Sequence, residues 1–229
     1  MTSNSKINKF LDNLKFDKFR SFRKFILTLK AENLSTSYDY GNGYFYQSFE
    51  KINLSGLRKT NERVNALKLN DLIDNKSILD VGTNTGFLIM QTNLSFKHCT
   101  AIDWDRSSIL VADECKKKLK INNINFFCSN FLEFKSETKF DVILSLANHT
   151  TYDGGINNYI NYFSHIKNFM HENSILVFES HHPEIEKEEK LKEIINYLKN
   201  SFQVINSGEY KFNNYADDKR KFFILKLVN

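Results

Sequence analysis

The pattern of hydrophobic and polar residues changes at Ser77. From there, short apolar runs typical of buried strands alternate with longer stretches in which apolar residues recur at helical spacing. The strand-like runs are SILDVG (77–82), CTAID (99–103), NFFCSN (125–130), FDVILSL (140–146) and SILVFES (174–180). The helical stretches lie near 85–94, 106–120, 156–170 and 184–199. This alternation predicts a parallel sheet that carries helices on both faces.

Two more strand-like runs close the chain, near 202–206 and 221–228. The connection between them has no room for a helix, so these two strands must pair antiparallel. The predicted fold class is therefore α/β, with a seven-stranded, mostly parallel, doubly wound sheet and an antiparallel C-terminal strand hairpin.

The part before the sheet has a different character. Residues 5–30 predict one or two helices, and residues 57–70 predict another. Between them, STSYDYGNGYFYQSFE (35–50) is too rich in glycine and polar residues for a core helix and too aromatic for a plain linker. We therefore predict an N-terminal helical cap with a tyrosine-rich lid over residues 1–70, and a second domain over residues 71–229.

Composition narrows the class of protein. With 41% hydrophobic and 26% charged residues, the 229-residue chain is that of a globular protein rather than a disordered one. It has no run of about 18 apolar residues and no apolar core of a signal peptide near MTSNSKINKF, which predicts a cytoplasmic protein. The formal net charge is +5, and many basic residues lie among the first 30. They form either a solvated helix face or a surface for an anionic substrate or nucleic acid.

The stretch DVGTNTG (80–86) follows the first predicted strand and opens a helix. Glycines at such a turn let a ligand lie against the backbone at the helix N-terminus. Asp103 ends the second strand, 21 residues after Gly82, where an acidic side chain would accept hydrogen bonds from a ribose. A dinucleotide fingerprint would need a third glycine in place of Phe87, whereas the spacing D-x-G-x-x-x-G fits Asp80, Gly82 and Gly86. The loop alone therefore does not decide between a dinucleotide and the different class of cofactor that the second spacing indicates.

The order of the segments SILDVGTNTG, TAIDWD, NFFCSNFLEF, FDVILSLANH and ILVFES, closed by a strand hairpin, resembles the class I S-adenosylmethionine-dependent methyltransferases. The resemblance covers residues 77–228 and makes residues 71–229 the S-adenosylmethionine-binding domain. It implies that the cofactor is bound by Asp80, Gly82, Thr83, Asn84, Gly86, Asp103, Trp104, Asn130, Phe131 and Leu146. The family's central loop glycine is Asn84 here, and asparagine tolerates the left-handed backbone better than other non-glycine residues.

Candidate residues for the reaction follow the fourth and fifth strands, since ligands of open parallel sheets bind at the carboxyl ends of strands. His149 is the first candidate base, with a wall-shaping role as the equal alternative. In FESHHPE, His181 is the second catalytic candidate, because it shares a side of the strand with Glu179 while His182 points the other way. No metal is expected. The predicted substrate contacts are Tyr38, Tyr44, Tyr46, Gln47, Arg58, Tyr152, Glu179 and His182.

The function predicted from these features is methyl transfer to oxygen or nitrogen of a small polar or anionic metabolite. By resemblance, a sugar- or phosphoryl-bearing precursor of a bacterial surface polysaccharide would fit. Two alternatives stay open: an RNA or tRNA methyltransferase, favoured by the sequence pI of 8.9, and a noncatalytic binding protein that keeps the fold. The acceptor atom and the oligomeric state are left undetermined.

Overall fold

The computed structural model describes residues 2–33, 44–149, 158–182, 185–211 and 219–228. Within them, seven strands form one sheet: β1 Ser77–Val81, β2 His98–Asp103, β3 Ile124–Cys128, β4 Phe140–Leu146, β5 Met170–Glu179, β6 Phe202–Lys211 and β7 Lys219–Leu227. Their order across the sheet is β3-β2-β1-β4-β5-β7-β6. The first five strands pair in parallel, and β7 lies antiparallel between β5 and β6. The predicted fold class is confirmed.

Helices cover both faces of this sheet. They are α1 Thr2–Leu14, α2 Arg20–Glu32, α3 Thr60–Ala66, α4 Leu69–Ile73, α5 Phe87–Gln91, α6 Arg106–Leu119, α7 Tyr159–Lys167 and α8 Glu188–Leu198. Alternate strand residues enter opposite cores, because successive side chains of a strand point to opposite faces. Ile78 and Val142 pack in the core that contains residues of α2, α3, α5 and α6. Leu79 and Ile143 pack in the core shared with α7 and α8.

Some element bounds differ from the predicted ones. The helix expected over 85–94 is only Phe87–Gln91, because the backbone becomes extended at Thr92. The helix expected over 57–70 is two short helices, α3 and α4, separated where Lys68 adopts a left-handed conformation. The last predicted helix begins at Glu188 rather than near 184. Hydrophobic spacing defines the positions at which helices begin and end only poorly.

The N-terminal part shares a hydrophobic core with the sheet. Phe45 and Phe49 are fully buried, and their rings lie 5.4 Å and 4.8 Å from the ring of Phe87, at the start of α5. Phe45 and Phe49 thereby fix their part of the chain next to the helix that follows the glycine loop. The domain boundary at residue 70 stays a prediction. Across the described residues, no helix has the length and apolar character needed to cross a membrane.

Candidate functional site

The glycine loop after β1 has three residues in the left-handed region. Gly82, Asn84 and Gly86 have φ angles of +70°, +54° and +68°. The backbone N–H groups of Gly82 and Thr83 both donate to the carbonyl oxygen of Ile102, each at 2.9 Å, which fastens the loop to the end of β2. Asn84 thus takes the conformation expected of it, although a β-carbon makes that conformation less favourable than it is for glycine.

Asn148, just beyond β4, closes one side of this loop. Its Nδ2 donates to the carbonyl oxygen of Val81, and its Oδ1 accepts from Ser145 Oγ at 3.0 Å and from Tyr162 OH at 2.9 Å. A β-carbon added at Gly82 would lie 2.5 Å from Asn148 Nδ2, so a side chain cannot be placed there without a shift. The sequence placed Asn148 among the residues after the fourth strand but predicted no specific role for it, because its partner Gly82 lies far away along the chain.

Asp103 stands beside the loop at the end of β2. Its Oδ2 accepts a hydrogen bond from the backbone N–H of Asn84 at 2.7 Å, and its Oδ1 accepts one from the N–H of Asp105 at 2.9 Å. Burial raises the pKa of Asp103 to about 6, even though these two hydrogen bonds favour the charged form. A carboxylate has about four acceptor sites, so two remain for hydroxyl groups of a ligand.

Two other polar groups complete the loop. Asp80 is buried and accepts from Thr83 Oγ1 at 2.7 Å, and burial raises the pKa of Asp80 to about 6. Thr85 Oγ1 is buried and has no hydrogen-bond partner in the part of the chain that the structure describes. An unsatisfied buried hydroxyl is unfavourable, and a polar ligand group at the loop would satisfy it. Thr85 was not among the predicted cofactor contacts, although it lies inside DVGTNTG.

Three of the predicted cofactor contacts, Trp104, Asn130 and Phe131, follow the ends of β2 and β3. Trp104 is exposed next to Asp103, as a stacking surface would be. Asn130 uses its Oδ1 to accept from the backbone N–H of Leu132 at 3.0 Å, so it shapes the turn after β3. The ring of Phe131 is buried against Tyr162 and His165, at centroid distances of 5.2 Å and 4.8 Å. Phe131 therefore supports this wall from inside the core.

At the ends of β4 and β5, Glu179 forms a buried ion pair. Arg63 Nε and Nη2 donate to its two carboxylate oxygens, each at 2.8 Å, and Nη2 also donates to the carbonyl oxygen of Leu146 at 3.1 Å. Tyr210 OH donates to Glu179 as well. Burial alone would lower the pKa of Arg63, but the charge of Glu179 outweighs it and raises the pKa above its usual value. In the structure Glu179 holds α3 against the strand ends, and its predicted contact with the substrate stays a prediction.

The histidine pair after β5 is half-buried. His181 Nδ1 accepts a hydrogen bond from the backbone N–H of His182 at 2.8 Å, so the proton of the neutral ring is on Nε2. Burial, followed by the charge of Arg220 and the neighbouring His149, lowers the pKa of His181 to about 3. The ring is therefore neutral near pH 7, with its Nδ1 as an acceptor and its Nε2–H able to donate a hydrogen bond.

His149 is fully buried, and its ring packs edge-on against Phe178 at 4.9 Å. Its Nε2 lies 2.7 Å from Glu186 Oε1, while Glu186 Oε2 accepts from the backbone N–H of His181 at 2.8 Å. Because a carboxylate only accepts, Nε2 carries the proton and Nδ1 of the neutral ring has a lone pair. No hydrogen-bond partner for Nδ1 exists among the described residues. Sequence reasoning found His149 but not Glu186.

The lid residues divide between core and site. Tyr44 is buried, with its OH donating to Asp12 and its carbonyl accepting from Lys30, so it belongs to the helical cap. Tyr46 is half-buried beneath the guanidinium of Arg58, which lies 5.3 Å from the ring centroid. Gln47 is buried beside Arg58, and its Oε1 is without a hydrogen-bond partner in the described part of the chain. Tyr38 and Tyr152 lie outside the described residues.

The chain resembles a known protein family in sequence and several solved structures in fold. The sequence profile of a family described as a methyltransferase domain matches residues 72–220. No curated protein is similar enough in sequence to count as a relative. Among solved structures, the chain is similar to the N-methyltransferase NodS from Bradyrhizobium japonicum in complex with S-adenosyl-L-homocysteine. That match has a TM-score of 0.62 and 16% identity, and covers 74% of this chain and 87% of NodS.

Two other solved structures show the range of this fold. One is magnesium protoporphyrin IX methyltransferase from Synechocystis with bound SAM, with a TM-score of 0.56, 15% identity, and coverage of 74% of this chain and 78% of that one. The other is PH1948 from Pyrococcus horikoshii, a candidate RNA methyltransferase, with a TM-score of 0.54, 14% identity, and coverage of 74% and 85%. At these identities the structures show a shared fold, and the profile match shows the family. The chain belongs to the methyltransferase domain family and has the class I Rossmann-like methyltransferase fold.

Proposed function

We propose that the chain is an S-adenosylmethionine-dependent methyltransferase that acts on oxygen or nitrogen of a small polar or anionic metabolite. The observation that carries this proposal is the pairing of the left-handed glycine loop with the buried Asp103 carboxylate, which keeps two acceptor sites. Asp103 would hold the ribose hydroxyls, the loop with Thr85 would hold the amino-acid end, and Trp104 would stack on the adenine. Bound there, S-adenosylmethionine would supply an electrophilic methyl group.

The reaction forms a bond from the acceptor atom to the methyl carbon while the carbon–sulfur bond breaks, and the electron pair stays on sulfur in S-adenosylhomocysteine. An acceptor hydroxyl or ammonium group must also lose a proton. His181 is a poor base near pH 7, because its pKa is about 3. We therefore assign it the role of orienting the acceptor through Nε2–H.

His149 is the better candidate for the proton acceptor, since its Nδ1 lone pair has no partner among the described residues. Glu186 would position it by accepting from Nε2. If His149 acts as a base, His149→Gln lowers kcat and removes one ionisation from the pH profile of kcat. If His149 only supports the loop after β5, His149→Gln would lower thermal stability and leave the shape of the pH profile of kcat unchanged.

The experiment is turnover with labelled S-adenosylmethionine and fractionated polar metabolites, read as formation of S-adenosylhomocysteine and a labelled product. By resemblance, we propose sugar- or phosphoryl-bearing precursors of bacterial surface polysaccharide as the first fractions to test, and the cytoplasm as the place of action. The proposal fails if no fraction supports turnover above that of Asp103→Ala.

An RNA acceptor is the second candidate. It is supported by the exposed lysines of α1 and α2, such as Lys6, Lys9 and Lys24. This candidate requires RNA affinity that falls steeply with salt concentration. Gel-shift titrations at low and physiological salt measure it, and absence of RNA binding at low salt removes this candidate.

A further inference from the structure

Helix α1 presents its apolar side to solvent. Four apolar residues recur in it at the spacing i, i+3, i+4 and i+7, which puts them on one side of the helix: Ile7, Phe10, Leu11 and Leu14. Their exposed fractions are 50%, 62%, 47% and 52%. We call these four residues the apolar stripe. In most surface helices such a stripe faces the core, so α1 is turned the opposite way.

A different side of α1 is attached to the rest of the protein through polar groups. Asn8 Nδ2 donates to the carbonyl oxygen of Gly56 at 3.0 Å. Asp12 is the only buried residue among residues 6–14. Its carboxylate accepts from the backbone N–H of Ser55 at 2.9 Å and from Ser55 Oγ at 2.8 Å. Because these hydrogen bonds fix the rotation of the helix, the apolar stripe cannot turn inward without breaking them.

The positive charge of the protein is concentrated around this helix. Eight of the 32 basic residues but only two of the 27 acidic residues lie among the first 30, which leaves 24 basic and 25 acidic residues in the rest of the chain. Lys6 is exposed and lies one turn before Phe10. Lys9 is exposed as well, and lines one hollow together with Arg20 and Lys24 of α2. A partner that covers the apolar stripe therefore meets an excess of positive charge.

The apolar stripe and the excess charge together favour one kind of partner. A second copy of the chain would bring the same cations face to face, which is unfavourable. A nucleic acid would neutralise the cations with its phosphates, but it would leave the aliphatic side chains of Ile7, Leu11 and Leu14 in water. An anionic lipid surface offers negative head groups to the lysines and an apolar layer to the stripe.

We propose that α1 lies on an anionic membrane surface, with the apolar stripe at the boundary of head groups and acyl chains and the lysines near lipid phosphates. Basic helices that carry Phe and Leu on one side bind membranes in this way. The 13 residues of α1 are about 20 Å long, so the helix lies along the surface rather than across a hydrocarbon layer of about 30 Å. This inference goes beyond the proposed function, because it concerns where the chain is held and does not depend on methyl transfer.

The test is co-sedimentation of the full chain with lipid vesicles. One set contains phosphatidylglycerol and phosphatidylcholine in equal parts, and the other contains phosphatidylcholine alone. Since each cation near an anionic surface strengthens binding about fivefold, we expect at least about tenfold tighter binding to the anionic vesicles. This binding should weaken as the salt concentration rises.

Phe10→Gln/Leu14→Gln tests the apolar stripe. Binding to the anionic vesicles should weaken about tenfold or more, because two apolar side chains no longer leave water on binding. The matched control is Ile160→Gln/Ile205→Gln, which replaces two apolar residues of similar exposure, 48% and 49%, on α7 and β6. The control should bind like the parent, and thermal melts check that both variants fold as the parent does.

Lys6→Gln/Lys9→Gln tests the charge in the same assay. It should also weaken binding about tenfold or more, since two cations near the surface are lost. The matched control, Lys120→Gln/Lys199→Gln, removes two exposed lysines that lie outside the first 30 residues. It should leave vesicle binding unchanged.

The inference is overturned if anionic vesicles bind the chain no more tightly than neutral ones, or if Phe10→Gln/Leu14→Gln binds them like its control. Absence of vesicle binding, with dimerisation of the parent that Phe10→Gln/Leu14→Gln abolishes, would assign the apolar stripe to a second copy instead. Absence of vesicle binding, with an RNA gel shift that Lys6→Gln/Lys9→Gln abolishes, would assign the lysines to RNA. Vesicle binding needs no cofactor or turnover, so failure of the methyltransferase proposal leaves this result unchanged.

Discussion

Breaking the buried pair of Arg63 and Glu179 should destabilise the protein strongly. The side chains of Arg63 and Glu179 are 8% and 1% exposed, and two hydrogen bonds of 2.8 Å join them. Arg63→Met removes both bonds and also the bond to the carbonyl oxygen of Leu146. The carboxylate of Glu179 then stays buried with Tyr210 as its remaining partner among these groups.

The expected loss is about 3–5 kcal/mol of the free energy of unfolding, the usual cost of leaving one charge of a buried pair uncompensated. The double variant Arg63→Met/Glu179→Gln removes both charges, so its loss should be smaller than that of Arg63→Met alone. Lys117→Met is the matched control, because Lys117 pairs with Glu114 at 2.6 Å but is 70% exposed. Its loss should stay below about 1 kcal/mol.

Urea denaturation, with equal m-values checked across the four proteins, measures these differences. The reasoning is refuted if Arg63→Met costs no more than Lys117→Met. It is also refuted if the double variant loses as much stability as Arg63→Met, since removing the second charge would then relieve no penalty of an uncompensated buried charge.

Three other outcomes follow from the site. Gly82→Ala should weaken binding of S-adenosylhomocysteine at least about tenfold, because its β-carbon would lie 2.5 Å from Asn148 Nδ2; calorimetry on the folded variant measures this, and unchanged affinity would contradict it. Asn84→Val should lower the free energy of unfolding by about 1–3 kcal/mol, because a β-branched residue resists a φ of +54°, whereas Asn84→Gly should change it little; equal losses in urea would refute this. Cofactor affinity should fall as pH decreases through about 6, where the buried Asp103 gains a proton. Because burial raises the pKa of Asp103 from 3.8 to about 6, the cofactor-free protein should lose stability as pH rises between these two values; calorimetry between about pH 5 and 8 and thermal melts between about pH 4 and 8 test the two signs.

The sheet could be predicted because the sequence signals of its strands and of the glycine loop lie within short segments of the chain. Each buried strand is a short apolar run, and the glycines of DVGTNTG directly indicate a left-handed turn. The last two strands could be paired because the connection between them is short. Helix ends such as those of α5 depend on single backbone conformations at Thr92 and Leu94, which apolar spacing does not contain.

The acceptor side could be predicted only in part, because its contacts join distant segments. Glu179 and Arg63 are 116 residues apart in the chain, so the sequence shows two charges but not that they neutralise each other. The position of Arg220 beside His181 depends on the antiparallel return of β7. Glu186 could not be predicted as a site residue for the same reason, because its role depends on its contact with the buried His149.

The most direct test of the central claim is calorimetry of S-adenosylmethionine with the parent chain and with Asp103→Ala. The account predicts saturable binding of about one molecule per chain, weakened about tenfold or more in Asp103→Ala because two hydrogen bonds to a charged group are lost. Lys219→Gln should bind as tightly as the parent. Absence of binding to the parent, or equal affinity in Asp103→Ala, would contradict the account.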